Sequence, residues 1–202
     1  MAFEQRAKSD GSRKRTSGFS RSRANKPDDD AAGTKPAREK APPTPERLEQ
    51  RARNVLLHQL ARSAKSTHQL RQILEKREIP SEIAERVLER FTEVGLIDDA
   101  AYAETIVNSR RNFKGLAKSA IKRELAEKGV SAQLVEQAVD GITTEVDLES
   151  AKQLAARRIR QMQSLEADVR QRRLAGYLGR KGYPSNVVFA AIRYAESLGE
   201  DS

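Results

Sequence analysis

From Glu46 onward the apolar residues fall three and four positions apart, as in Leu70, Ile73 and Leu74 or Ile121 and Leu125. That spacing is the period of a helix with one face turned inward. No run alternates between apolar and polar as a half-buried strand does. The pattern predicts helices over 47–63, 66–77, 81–93, 98–111, 115–128, 131–141, 147–162, 166–180 and 185–198. The punctuation agrees. Pro80 and Pro184 stand where helices begin, a place that needs no N–H, and Gly129 and Gly182 stand where helices end. Ser66 precedes Gln69 by three residues, the spacing of a capping box. One of Asp98 and Asp99, and Ser131, are placed to cap the helices that follow them.

The helical pattern repeats. Leu70 and Leu74 lead to Arg77-Glu78-Ile79, Ile83 and Val87-Leu88; a shift of 51 residues gives Ile121, Leu125, Lys128-Gly129-Val130, Leu134 and Ala138-Val139. A further shift of 53 gives Leu174, Leu178, Lys181-Gly182-Tyr183, Val187 and Ala191-Ile192. The register extends backwards, matching Ala52 and Val55 to Ala103 and Ile106, and these to Ala156 and Ile159. Each copy is therefore a three-helix unit of about 52 residues, and three copies fill the body. The expected architecture is all-α: three tandem three-helix repeats over 46–95, 96–144 and 145–202, forming an elongated curved array. Glu78 stands where the later units have glycine, so its turn is expected to differ.

Residues 1–45 lack this pattern. They are rich in Ser, Arg, Lys, Gly, Asp and Pro, and Phe3 and Phe19 are the only large apolar groups after Met1. Such a stretch buries too little apolar area to offset its chain entropy, so a disordered basic N-terminal tail is expected. It holds eleven Lys/Arg against six Asp/Glu, and the rest of the chain twenty-seven against twenty-three. The whole carries a net charge of +9, which favours polyanionic partners. There is no cysteine, which removes disulfides, thiolate metal sites and cysteine nucleophiles together. No stretch approaches the roughly 20 apolar residues of a membrane span, and the basic N-terminus has no apolar signal core. A cytoplasmic protein with no membrane association is expected.

Candidate chemistry is sparse. His58 and His68 are the only histidines, ten residues apart and off one helix face. No phosphate-loop spacing surrounds Gly95, Gly115, Gly129 or Gly141. Carboxylates stand mostly beside Lys or Arg, where ion pairing is the ordinary outcome. The sequence thus offers no catalytic residue, no metal site and no cofactor site, and the chain is expected not to be an enzyme. The basic residues carry more. Arg110, Arg111, Lys114, Lys118, Lys122 and Arg123 recur at near-helical spacing. Arg157, Arg158 and Arg160 end one helix, and Arg170, Arg172 and Arg173 open the next. These twelve are the expected partner and DNA contacts, concentrated in the second and third units. A sequence-reading helix-turn-helix is disfavoured, because the candidate recognition helices carry Glu82, Glu85, Glu89 and Glu136, which would repel phosphates.

Gly95-Leu-Ile-Asp-Asp-Ala100-Ala-Tyr-Ala-Glu104, Lys114-Gly-Leu-Ala-Lys-Ser-Ala-Ile-Lys-Arg-Glu-Leu125 and Glu127-Lys-Gly-Val130 resemble the RecX family of bacterial regulatory proteins. Leu178-Gly-Arg-Lys-Gly-Tyr183 is similar to that family's C-terminal repeat, and the likeness spans roughly 47–198. The resemblance implies a non-catalytic modulator of the RecA recombinase that lies in the groove of the RecA–single-stranded DNA filament. It implies inhibition of ATP hydrolysis and strand exchange, in recombination, DNA repair and the SOS response. The partner implied is the RecA filament, met by a monomer, with nucleic acid held weakly by the basic face. The alternative is a stand-alone, non-sequence-specific DNA-binding helical module. The basic tail is an addition with no assigned role.

Overall fold

The computed structural model describes residues 44–200, and all regular structure among them is helical. The first unit comprises α1 (Pro45–Leu60), α2 (Thr67–Glu75) and α3 (Ser81–Glu93). The second comprises α4 (Asp99–Ser109), α5 (Lys118–Glu127) and α6 (Ala132–Val139), and the third α7 (Thr144–Ile159), α8 (Ala167–Arg180) and α9 (Ser185–Glu200). A π-helical turn over Arg110–Lys114 extends α4, and a 3-10 turn over Arg160–Met162 extends α7. The tail expected over 1–45 falls, up to residue 43, outside the described residues.

Local chemistry sets the helix starts. Ser66 and Gln69 form the full capping box, and the Ser131 hydroxyl accepts from the Leu134 amide. Of the two aspartates, Asp98 is the cap: its Oδ1 accepts from the Ala101 amide at 2.9 Å. Each unit then closes its own core. Leu56, Leu70, Leu74 and Leu88 fill the first, Ile121, Leu125 and Val139 the second, and Leu174, Leu178 and Ala191 the third. Fully burying an aliphatic side chain contributes about 1.5–3 kcal/mol.

The first-helix register of the third unit needs correction. The buried alanines are Ala52, Ala103, Ala151 and Ala155, whereas Ala156 and Ile159 are only partly covered. Asp99 and Asp147 occupy the same place, since each accepts the amide at the start of the preceding second helix: Thr67 at 2.8 Å and Lys118 at 3.1 Å. Ala103 therefore corresponds to Ala151, four residues beyond its aspartate. The third unit holds five more residues between this alanine and the core of its second helix, Ala151 to Leu174 against Ala103 to Ile121, and α8 takes up most of them by starting a turn earlier than α5. Alanine-rich helices offer several in-phase registers, and only packing selects one.

One joint links unit to unit. The turn after each later second helix sits on the first turn of the second helix before it. Ser66 Oγ donates to the Lys128 carbonyl at 2.5 Å, the Ala117 amide to the Lys181 carbonyl at 2.9 Å, and Ser119 Oγ to the Gly182 carbonyl at 2.6 Å. Gly129 (φ 73°) and Gly182 (φ 88°) are left-handed there. A Cβ on Gly129 would lie 2.2 Å from His68, and one on Gly182 2.6 Å from Ala120 Cβ. Glycine is required twice over, by conformation and by space. Glu78 adopts the same left-handed turn at φ 59°, so the turn does not differ in shape. It tolerates a side chain because, among the described residues, no neighbouring unit docks on it, and Glu78 is exposed.

Candidate nucleic-acid interface

The twelve basic residues separate into groups that sequence spacing could not distinguish. Arg110 is spent within its unit. Its guanidinium meets Glu124 with two bonds, of 2.7 and 2.5 Å, which raises the arginine pKa and lowers that of the carboxyl. Arg111 is spent between units. It donates to Asp147 Oδ1 at 2.6 Å, Ser150 Oγ at 2.8 Å and the Leu116 carbonyl at 3.1 Å. Its side chain is 14% exposed and that of Asp147 10%. These two arginines hold the fold, and neither offers a free charge to a ligand.

Lys122 is paired as well, with Glu136 at 2.6 Å. The pair repeats Arg71–Glu85 of the first unit, 51 residues earlier, and in each case it ties the second helix to the third. The third unit departs from this rule: Ala175 and Phe189 stand at the equivalent positions, and Phe189 is 63% exposed. Lys114 and Arg123 are exposed and Lys118 half-buried, and none of the three makes an ion pair among the described residues.

The third unit gathers its arginines. Arg158 of α7 and Arg172 and Arg173 of α8 line a cleft of about 610 Å³, with Tyr177 and Arg180 on the same wall. No carboxylate lines this cleft. The Tyr177 ring is flanked by Arg158, 5.7 Å from its centroid, and Lys181 at 5.1 Å, each within cation–π range. Gly176 leaves the Arg180 guanidinium its room, since a Cβ there would lie 3.3 Å from Nη1. Arg180 is absent from the sequence expectation, although its signal was present: Arg172, Gly176 and Arg180 are spaced by four along one helix face.

Arg157 and Arg160 are exposed but do not line this cleft. Arg170 is half-buried and donates to the Leu165 carbonyl at 3.0 Å, bracing the loop before α8. What the third unit presents is a concave wall of four guanidiniums, none paired with a carboxylate among the described residues, beside an aromatic ring; Arg158 donates to Gln161 Oε1 at 2.5 Å. Planar forks of this kind suit phosphate oxygens, and a ring among them offers a base a stacking surface. Among the described residues no three of His, Asp and Glu gather into a metal-holding group, and no helix is long and apolar enough to cross a membrane.

Comparison with known proteins places this architecture. Family models described as the first, second and third three-helix domains of RecX match residues 52–91, 98–139 and 145–192. The regulatory protein RecX of Streptomyces coelicolor is 45% identical over 176 residues, covering 86% of this chain and 93% of its own. The chain belongs to the RecX family. The RecX protein of Thermobifida fusca is 42% identical over 149 residues (74% and 80% coverage), and that of Mycolicibacterium smegmatis 36% over 152 (73% and 81%). The fold agrees with the crystal structure of RecX from Lactobacillus salivarius at a TM-score of 0.66 and 19% identity, covering 74% of this chain and 97% of that one. A second crystal structure of a regulatory protein RecX superposes with a TM-score of 0.63 at 26% identity, covering 74% and 73%. The five extra residues fall inside the longest of the three matches, that to the third domain.

Proposed function

We propose that this chain regulates the RecA recombinase by lying in the groove of the RecA–single-stranded DNA filament, where it restrains ATP hydrolysis and strand exchange. The observation that carries this reading is the carboxylate-free arginine cleft of the third unit in a chain whose relatives are named regulatory proteins. Arg158, Arg172, Arg173 and Arg180 hold phosphates, and Tyr177 takes a base or sugar against its ring. The tandem units supply length, so that one cytoplasmic monomer follows the groove and meets protein and DNA together. Lys114, Lys118 and Arg123 add contacts from the second unit. The chain itself contributes no catalytic group.

The test is DNA-dependent ATP hydrolysis by the cognate RecA, measured with the wild-type chain and with Arg172→Glu/Arg173→Glu. The wild type is expected to inhibit at or below equimolar ratios, and the variant to inhibit at least tenfold less. Absence of inhibition by the wild type where filaments form would refute the reading. Tight binding to naked DNA with no preference for the filament would favour the stand-alone DNA-binding module instead.

A further inference from the structure

The first unit has a face that its repeat mates use for packing. In the second unit, Asp98, Ala101, Tyr102 and Thr105 of α4 turn toward the first unit and line a groove with Leu57 and Leu60. Tyr102 Oη donates across this joint to Gln69 at 3.1 Å. Counting back 51 residues, the same positions of α1 hold Arg47, Gln50, Arg51 and Asn54. Among the described residues no helix packs on this face. Where its copy is built to pack, it is surfaced with cations and amides.

These side chains line a cleft of about 540 Å³, which Arg77 closes from the turn after α2. No carboxylate lines it, and Arg47, Arg51 and Arg77 form no ion pair among the described residues. Gln50 Nε2 donates to Asn54 Oδ1 at 3.0 Å. That bond leaves the Gln50 carbonyl and the Asn54 amino group available to a ligand. The turn itself is open: Arg77 and Glu78 are exposed, whereas its counterparts at Lys128 and Lys181 are docked through their carbonyls.

We infer that the free end of the first unit is a second nucleic-acid site, which takes the sugar–phosphate backbone of a strand through Arg47, Arg51 and Arg77. Charge selects a polyanion, since three arginines and no carboxylate line the cleft. The lining also argues against an acidic protein: Val55 is its only aliphatic member, and it holds no Trp or Tyr of the kind that anchors protein interfaces beside arginine. Free arginines beside free amides match a backbone with bases alongside. The inference extends the proposed nucleic-acid role from the last unit to the first. Both ends of the array then grip the strand.

The test uses the full chain and labelled oligothymidylate, with anisotropy followed across a salt series and no recombinase present. Arg51→Glu/Arg77→Glu is expected to weaken binding at least tenfold and to flatten the salt slope by about 1.4, at roughly 0.7 per phosphate contact on a single strand. Arg86→Glu/Arg90→Glu on α3 removes the same charge elsewhere in the unit and is expected to change affinity less than threefold. The neutral pair Arg51→Gln/Arg77→Gln should act in the same direction and guards against a misfolded variant. Equal losses from the cleft and control pairs, or no loss from the cleft pairs, would overturn the inference. So would displacement of the probe by polyglutamate as readily as by unlabelled oligonucleotide. Cleft-dependent binding by a chain that leaves RecA's ATPase untouched would sink the filament reading alone.

Discussion

Asp147→Ala should be the most damaging single substitution at either joint. Asp147 is buried, and its carboxylate does two tasks at once. Oδ1 accepts from Arg111 Nη1 at 2.6 Å, and Oδ2 accepts from the Lys118 amide at 3.1 Å. Truncation leaves a buried backbone donor unpaired, which costs about 1–3 kcal/mol. It also strips Arg111 of its counter-charge, and breaking a buried pair costs about 3–5 kcal/mol. Arg111 keeps Ser150 and the Leu116 carbonyl, so the lower part of the combined range applies, about 3 kcal/mol. With a urea m-value of about 2 kcal/mol/M, the unfolding midpoint followed by circular dichroism should fall by about 1.5 M. Asp99→Ala is the internal comparison. Asp99 accepts the equivalent Thr67 amide but carries no arginine, because Leu60 stands at the position of Arg111. Its loss should cost only about 1 kcal/mol. A cost for Asp147→Ala below that of Asp99→Ala would refute the argument, and so would failure of Arg111→Met/Asp147→Leu to recover most of the loss.

Gly129→Ala should destabilise by about 2 kcal/mol or more in the same melts, because the left-handed backbone and the His68 contact both oppose a Cβ. Glu78→Gly should instead stabilise by roughly 0.5–1 kcal/mol, since it relieves φ 59° in a turn exposed among the described residues; a loss would show that Glu78 makes an essential contact. Burial pushes the Tyr183 phenol up to about 12, and its Oη donates to the Gly115 carbonyl at 3.2 Å across the second joint. A raised acid favours its neutral form in the folded state. Its stabilisation is whole below the ordinary value near 10 and fades as pH rises toward 12. Thermal melts between those limits should therefore fall more steeply for the wild type than for Tyr183→Phe. Arg110 depresses the Glu124 carboxyl, so that pair's contribution is present above the ordinary glutamate range and lost as pH falls through the lowered value. Glu124→Gln should accordingly flatten the acid limb of the stability profile.

The helices, their caps, the three-fold repeat and the family were legible in the chain because each rests on local information. A period of 3.6, a Ser-x-x-Gln box, a glycine after a basic residue and a recurrence near 51 residues need no knowledge of what lies across the molecule. Long-range pairing decided the rest. Arg111 meets Asp147 36 residues away, so an arginine that looks like a ligand contact is a structural clamp. Arg110 and Lys122 are neutralised by acids 14 residues on, and sequence alone does not say which carboxylate turns which way. Arg180 joins Arg158 only when α8 packs against α7. The register that sets Ala151, and not Ala156, in the place of Ala103 is likewise a choice made by packing. The sequence by itself determined where the helices lie and how often the unit recurs. Tertiary structure decided which charges are left free to act, because a charge is available only when folding has brought no partner to it.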